Sequence, residues 1–311
     1  MEQTVRENGG EKLTPYRENI PDTFEIRFAA QSEWKFWEVL AFYVGGVGAG
    51  LYAISHFMRV PAGLIAGFFM VVVLKNGAHL LSSSHPGRAL KAFSNPKNSW
   101  VSRGAYFILF FTIFGAADIL LRLGWFPGFG LIVCRSISFM AVLFAFLIMI
   151  YVGFVMTTSR SIPLWNSSIL PAIFLSYSVA LGGACGFIVY PAVEIGYDVS
   201  LLSRMLIISI TATLFCIVIH LLVLKSSSHT ARASVDLLLK GSLRVLFLGG
   251  VVTFGLVIPL GLLSHGALDG HYEKITGMVS GVMVLIGGFL YETVLCQGGL
   301  YSPLLDVEQP E

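Results

Sequence analysis

A small set of ionisable and tyrosine side chains interrupts the long apolar stretches of this sequence. Lys75 and His79 are four residues apart, so a helix would place both on one face. Glu38, Tyr151 and Glu292 stand near the ends of other apolar stretches. Such groups can donate hydrogen bonds to a polar headgroup and exchange protons with it. The pattern therefore predicts a buried acid–base cluster, with snorkelling of the two glutamates to the stretch ends as the alternative.

A second ionisable group comprises Asp118, Arg122 and Arg135, with Arg204 at the start of a later apolar stretch. Asp118 and Arg122 are four residues apart and opposite in charge, which is the spacing of a structural ion pair on a helix. The alternative is a route for protons that links this group with the first. Both interpretations remain open at the level of the sequence.

The elements that position these residues are membrane-spanning helices. The 311 residues are 55% hydrophobic and 12% charged, with a mean hydropathy of +0.78. Soluble domains carry about 25% charged residues, so the composition excludes a soluble enzyme, a nucleic-acid binder and a disordered scaffold. We expect an all-α integral membrane protein.

Eight apolar runs are long enough to cross about 30 Å of hydrocarbon as helices. Glycine-rich segments recur in them and favour close helix packing. We predict eight transmembrane helices in two four-helix bundles, at residues 37–157 and 158–297, between a polar arm at 1–36 and a tail at 298–311. The runs lie at about 37–57, 61–81, 103–123, 131–157, 168–190, 201–224, 242–264 and 273–297.

An even number of spans places both termini on one face of the membrane. We call this face A, and it also holds the connections at 82–102, 158–167 and 225–241; the opposite face is face B. Lysine and arginine residues near the spans are roughly twice as numerous on face A as on face B, which predicts a cytoplasmic face A. The connections at 82–102 and 225–241 have room for surface helices or a docked partner.

Two other classes of membrane protein remain as alternatives. A haem b-bearing anchor would need axial histidine pairs at matching depth, and His79 with His220 or His56 with His265 are compatible with this. A secondary transporter would need broken helices in both halves, whereas Pro259 is the only proline in the middle of a span. The four cysteines lie singly in apolar runs, so no iron–sulfur or zinc site is expected.

Three sequence blocks resemble the polysulfide reductase membrane-subunit family, also called NrfD/PsrC. They follow one another with the family's spacing over about the first 175 residues, and the second half resembles the family in its number of spans. The blocks are FWEVLAFYVGGVGAGLYAI (36–54), HPGRALKAFSNPKNSWVSRGAY (85–106) and YVGFVMTTSRSIPLWNSSILP (151–171).

The resemblance implies a quinone-binding subunit that anchors an iron–sulfur subunit of the ferredoxin type, which often partners a molybdopterin catalytic subunit. It implies no haem or iron–sulfur cluster in this chain. In the polysulfide reductase member, a tyrosine twelve residues before a Pro-Leu-Trp-Asn motif contacts the quinone, and Tyr151 stands twelve residues before Pro163 of that motif here. Glu38, Lys75 and His79 occupy places comparable to polar groups of that member.

The second block implies a docking surface for the iron–sulfur partner. We expect His85, Arg88, Trp100 and Arg103 to contribute to it. Arg88 and Arg103 could pair with carboxylates of the partner or contact lipid phosphates instead. In many systems of this family the catalytic subunits are exported, which would put face A outside, whereas the charge distribution favours the cytoplasm.

We therefore predict a membrane anchor that exchanges electrons between menaquinone or ubiquinone and an iron–sulfur partner of a respiratory molybdopterin oxidoreductase. Its location would be a prokaryotic cytoplasmic membrane, with both termini in the cytoplasm. The predicted quinone-binding residues are Tyr151, His79, Lys75 and Glu38, and the predicted proton-transfer residues are Glu292, Asp118, Arg122 and Arg135.

Overall fold

Eight long apolar helices make up most of the part of the chain that the computed structural model describes, residues 29–83, 86–126, 128–193, 197–268 and 273–302. They confirm the prediction of an all-α membrane protein with eight spans. With one shorter helix, α7, the helices are α1 Phe36–Met58, α2 Pro61–Ser82, α3 Trp100–Arg122, α4 Leu131–Thr157, α5 Leu170–Val193, α6 Val199–Lys225, α7 His229–Leu239, α8 Val245–Leu268 and α9 Lys274–Gln297.

The two ends of the described chain meet on face A. Strand β1 (Ala29–Ala30) pairs antiparallel with strand β2 (Leu300–Tyr301). The backbone N–H of Gln31 extends this pairing by donating to the carbonyl of Gly299 at 2.9 Å. Both ends therefore lie on one face, as an even number of spans requires.

Both long connections on face A, which have room for a surface helix or a docked partner, contain a helical segment. The first forms a 3₁₀ helix at Pro86–Phe93, and the second contains α7. The Ser228 hydroxyl caps α7 by accepting a hydrogen bond from the N–H of Ala231, and Ser99 caps α3 in the same way. Such caps satisfy backbone donors that a helix leaves free at its start.

Close packing between α1 and α5 joins the two halves of the chain. A Cβ added at Gly50 would collide with the carbonyl of Ser178, and one added at Gly182 would collide with the backbone of Gly50. Only residues without a side chain allow this approach, so the glycine-rich segments serve helix packing here. Helix α1 is the most buried of the spans and also contacts α2, α4 and α9.

Two spans contain π-helical segments that no sequence pattern predicted. One covers Met70–Lys75 in α2 and the other covers Val245–Val257 in α8. A π-turn inserts an extra residue into a helix and changes the direction of the side chains that follow, often at functional sites. In α2 the segment ends at Lys75.

The predicted division into two four-helix bundles stays a prediction. Helices α1 and α5, which belong to different predicted bundles, pack against each other. Most of the predicted polar arm and of the predicted C-terminal tail lie outside the described residues.

Candidate functional site

Lys75 lies in the interior of the protein, between α1 and α4. Its side chain is 0% exposed, and its Nζ atom has no hydrogen-bond partner among the described residues. Gly45 of α1 provides the space, because a Cβ at that position would lie 2.8 Å from the Lys75 Cδ atom. A buried amino group without a partner is costly. Such a group is unusual unless a ligand or water completes its contacts.

Tyr151 of α4 lies beside this lysine. The Lys75 Nζ atom lies 5.3 Å from the centre of the Tyr151 ring, within the range of a cation–π contact. The ring also packs against Gly104 of α3, where an added Cβ would collide with it. Gly45 and Gly104, on two neighbouring helices, thus leave the space in which Lys75 and Tyr151 lie.

Glu292 enters the same region from α9. It is 5% exposed, and its Oε2 atom has no hydrogen-bond partner among the described residues. The carboxyl group lies within electrostatic range of Tyr43, Tyr151 and Tyr177. The structure therefore brings a lysine, a carboxyl group and several tyrosines together.

Three of these tyrosines were not predicted from the sequence. The rings of Tyr177 and Tyr291 are 5.2 Å apart, and their hydroxyl groups have no hydrogen-bond partner within the described part of the chain. The Tyr43 hydroxyl donates to the carbonyl of Leu285 at 2.9 Å. Counting residues from the face A end of each span would have found Tyr43 and Tyr177, which lie as deep as Lys75.

These residues form a layer at one depth. Lys75, Tyr151 and Glu292 lie seven, six and five residues before the face A ends of their helices. At 1.5 Å per residue this places them about 8–11 Å below those ends. We call Tyr43, Lys75, Tyr151, Tyr177, Tyr291 and Glu292 the face A cluster.

Two predicted quinone-binding residues lie toward the rim. His79 is half-buried, with its ring 5.7 Å from that of Phe42, and it lies within electrostatic range of Lys75. Glu38 accepts a hydrogen bond from the backbone N–H of Lys35 at 3.1 Å and so caps the start of α1. This contact gives Glu38 a structural role at the surface, and its quinone-binding role stays a prediction.

The Pro-Leu-Trp-Asn motif braces α9 beside the cluster. The Trp165 indole N–H donates to the carbonyl of Leu295 at 2.8 Å, and its ring stacks on Trp34 at 4.6 Å. Leu295 lies less than one helical turn after Glu292. The motif therefore fixes the helix that carries the carboxyl group.

The two face A histidines of the haem alternative, His79 and His220, have different surroundings. The Nδ1 atom of His220 lies 3.1 Å from the Ser167 hydroxyl, and its Nε2 atom has no hydrogen-bond partner among the described residues. His220 and Tyr291 both line a small buried void beneath α7. His79 instead packs on Phe42 in the first half of the chain.

Asp118 forms the centre of a hydrogen-bonded group near face B. Its carboxylate is 1% exposed and accepts from the Tyr52 hydroxyl at 2.8 Å, from Arg122 Nε at 3.1 Å and from the Ser138 hydroxyl. Arg122 also lies 3.0 Å from His56 Nδ1 through its Nη2 atom. Such saturation of the carboxylate is typical of a structural ion pair, and proton transfer here stays a prediction.

The predicted docking segment is held by its own contacts on face A. Arg103 donates to the carbonyls of Pro96 at 2.9 Å and Lys97 at 2.6 Å, and its guanidinium lies over the Trp100 ring at 4.4 Å. Trp100 stacks in turn on Phe154 of α4. These contacts shape the connection, and partner docking by Trp100 and Arg103 stays a prediction. His85 and the side chain of Arg88 lie outside the described residues.

One comparison with known proteins gives a match. The family model described as polysulphide reductase, NrfD, matches residues 28–302. The match thus extends through the second half of the chain. In that half no family motif was recognised from the sequence, and the likeness lay only in the number of spans. A comparison with curated proteins finds no match.

Proposed function

The chain belongs to the polysulphide reductase, NrfD family, and from that premise we propose that it binds quinone in the face A cluster. Proteins of this family are membrane subunits of oxidoreductase complexes. The chain's part in such a complex would be to exchange electrons between the quinone pool and a partner subunit on face A. It would be the quinone-reactive subunit and would not be catalytic alone.

The observation that carries this proposal is the set of unpartnered polar atoms at one depth. Lys75 Nζ, Glu292 Oε2 and the Tyr177 and Tyr291 hydroxyls are buried without hydrogen-bond partners in the described chain. Buried polar groups in native proteins are nearly always satisfied, so the cluster is suited to a ligand with polar atoms. A quinone headgroup fits because it offers two carbonyl oxygens on an apolar ring.

The residues of the cluster have distinct roles in this proposal. The Lys75 amino group and the Tyr151 hydroxyl donate hydrogen bonds and orient the headgroup. The Tyr177 and Tyr291 rings exclude water around it. When bound, quinone supplies two-electron, two-proton redox chemistry.

In this proposal Glu292 holds the proton that this chemistry requires. Its carboxyl group is buried within electrostatic range of Tyr151 and lies about 8 Å below the face A end of α9. A carboxyl group at this depth can exchange a proton with the surface more easily than one at the bilayer centre. His79, at the rim, would help to admit the headgroup.

The family resemblance is the basis for the partner subunits and the membrane that we propose. We propose an iron–sulfur subunit of the ferredoxin type docked on face A, over the connection at 82–102, and a molybdopterin catalytic subunit bound to it. We further propose a prokaryotic cytoplasmic membrane with face A in the cytoplasm, because lysines and arginines are more numerous there.

Purification of the tagged chain from its native host in mild detergent tests this function. We expect iron–sulfur and molybdopterin subunits to co-purify, with extractable menaquinone or ubiquinone and no haem band in the visible spectrum. A haem band would instead identify a haem-bearing anchor. A solitary chain that retains no quinone would contradict the proposal and favour a transporter.

A further inference from the structure

A cavity of about 610 Å³ opens near face B, at the opposite end of the molecule from the face A cluster. It lies between α3 and α4 beside the end of α1, and its volume is in the range of ligand sites. Its lining is divided into two parts. The polar part comprises His56, Asp118, Arg122, Arg135 and Ser138, and the apolar part includes Phe139, Leu143 and Phe146.

The polar part carries a net positive charge. Arg122 is paired with Asp118 at 3.1 Å. Arg135, by contrast, is exposed and makes no hydrogen bond or ion pair with any part of the chain that the structure describes. One arginine charge is thus left to attract an anion at the cavity mouth, and a guanidinium group binds phosphate well through its fork of donors.

The apolar part continues from that charge along one face of α4. Phe139, Leu143 and Phe146 follow Arg135 at spacings of four, four and three residues, which is the spacing of one helix face. From Arg135 to Phe146 the face extends about 17 Å. Phe139 and Leu143 are exposed in the isolated chain.

The change from charged to apolar lining follows the change from headgroups to acyl chains in a bilayer. Arg122 is the last residue of α3, and Arg135 lies in the second turn of α4. The connection between them carries exposed Trp125 and Phe126, and aromatic residues are enriched where a membrane meets water. The charge therefore lies at headgroup level, and the apolar face leads toward the bilayer centre.

We propose that this cavity is a binding site for an anionic phospholipid, with its phosphate on Arg135 and Arg122 and one acyl chain along Phe139, Leu143 and Phe146. A neutral headgroup, including that of a quinone, would leave the Arg135 charge without a counter-ion. This inference does not rest on the function proposed for the face A cluster.

Lipid titration of the delipidated full-length chain in detergent, followed by native mass spectrometry, tests the proposal. The probes are phosphatidylglycerol and phosphatidylcholine with identical acyl chains. We expect one tightly held phosphatidylglycerol per chain, bound about fivefold more tightly than phosphatidylcholine, since one basic residue near a membrane contributes about that factor. Equal affinity for the two lipids would overturn the proposal.

Two variants and a matched control locate the site. Arg135→Gln should remove the preference for phosphatidylglycerol without loss of folding, because this side chain has no partner within the described chain. Leu143→Trp should fill the cavity and weaken both lipids. Arg204→Gln is the control, since Arg204 is exposed on α6 and contacts Ser200 outside the cavity.

The outcomes separate this site from its alternatives. A preference that persists in Arg135→Gln, or that is lost equally in Arg204→Gln, would contradict the assignment. Displacement of phosphatidylglycerol by an equal amount of decylubiquinone would also overturn it, because the occupant would then be a neutral quinone.

Discussion

Tyr151 and Lys75 are the two residues on which the proposed site depends most. Each packs closely against a glycine on a neighbouring helix, Tyr151 against Gly104 and Lys75 against Gly45. The Lys75 Nζ atom lies 5.3 Å from the centre of the Tyr151 ring, and Glu292 of α9 lies within electrostatic range of Tyr151. Changes that remove one polar atom and keep the packing can therefore separate binding from folding.

Tyr151→Phe should lower quinone turnover about fivefold to tenfold, since it removes one hydrogen bond to the headgroup. The ring still packs on Gly104, so the complex should assemble as in the wild type. The measurement is quinol-dependent turnover by the purified complex. Tyr190→Phe is the control, because it removes a buried hydroxyl that contacts Ser55 near face B. Wild-type turnover in an assembled Tyr151→Phe complex would refute this role.

Asp118→Asn tests whether the face B group is structural. The carboxylate accepts three hydrogen bonds, so its loss should destabilise the chain by about 1–3 kcal/mol. Turnover per folded molecule should be unchanged. The measurements are unfolding in detergent and turnover after correction for folded protein. A folded variant with little turnover would support the proton route instead.

At the scale of the elements, close packing of α1 on α5 sets the positions of the helices around the face A cluster. Glycines in both helices allow the two backbones to approach closely. Gly50 faces the backbone of α5, whereas Gly77 of α2 has nothing within 4 Å of an added Cβ. The two glycines thus offer a matched comparison on neighbouring helices.

Gly50→Ala should destabilise the protein by about 1–3 kcal/mol through overpacking. Gly77→Ala, the control, should be neutral or stabilising by about 0.5–1 kcal/mol, since alanine favours a helix over glycine. The measurement is the unfolding midpoint of each variant in detergent. Equal midpoints for the two variants would show that the α1–α5 contact does not limit stability.

Much of this arrangement could be predicted from apolar run lengths and residue spacing. The eight spans and the common depth of Lys75 and Tyr151 near face A were expected, and the two long connections had room for the helices found in them. The π-helical segment before Lys75 was not, because apolar run length carries no signal for an inserted residue. The depth of Tyr177 could have been counted along α5, but only the packing of α5 against α9 shows that Tyr177 and Tyr291 lie side by side.

At the scale of the whole molecule, the structure separates two polar regions along the membrane normal. The face A cluster has buried polar atoms without partners, and the face B group has a saturated carboxylate next to an open cavity. The even number of spans puts both ends of the described chain on face A. The side of the membrane that face A occupies decides where a partner can dock.

Cysteine labelling of intact cells should place face A in the cytoplasm. Asn98→Cys lies in the exposed connection before α3, and Leu123→Cys lies just after α3 on face B. A membrane-impermeant maleimide should label the second variant in intact cells and the first only after lysis. The reverse pattern would place face A outside and agree with an exported catalytic partner.

Binding of decylubiquinone to purified wild-type and Lys75→Met chains is the most direct test of the face A cluster. Methionine fills a similar volume without the unpartnered amino group, so we expect a chain at least as stable as the wild type. Its affinity for the quinone should nevertheless fall about fivefold, since a hydrogen-bond donor to the headgroup is lost. An equally stable Lys75→Met chain that binds the quinone as tightly as the wild type would contradict quinone binding by the face A cluster.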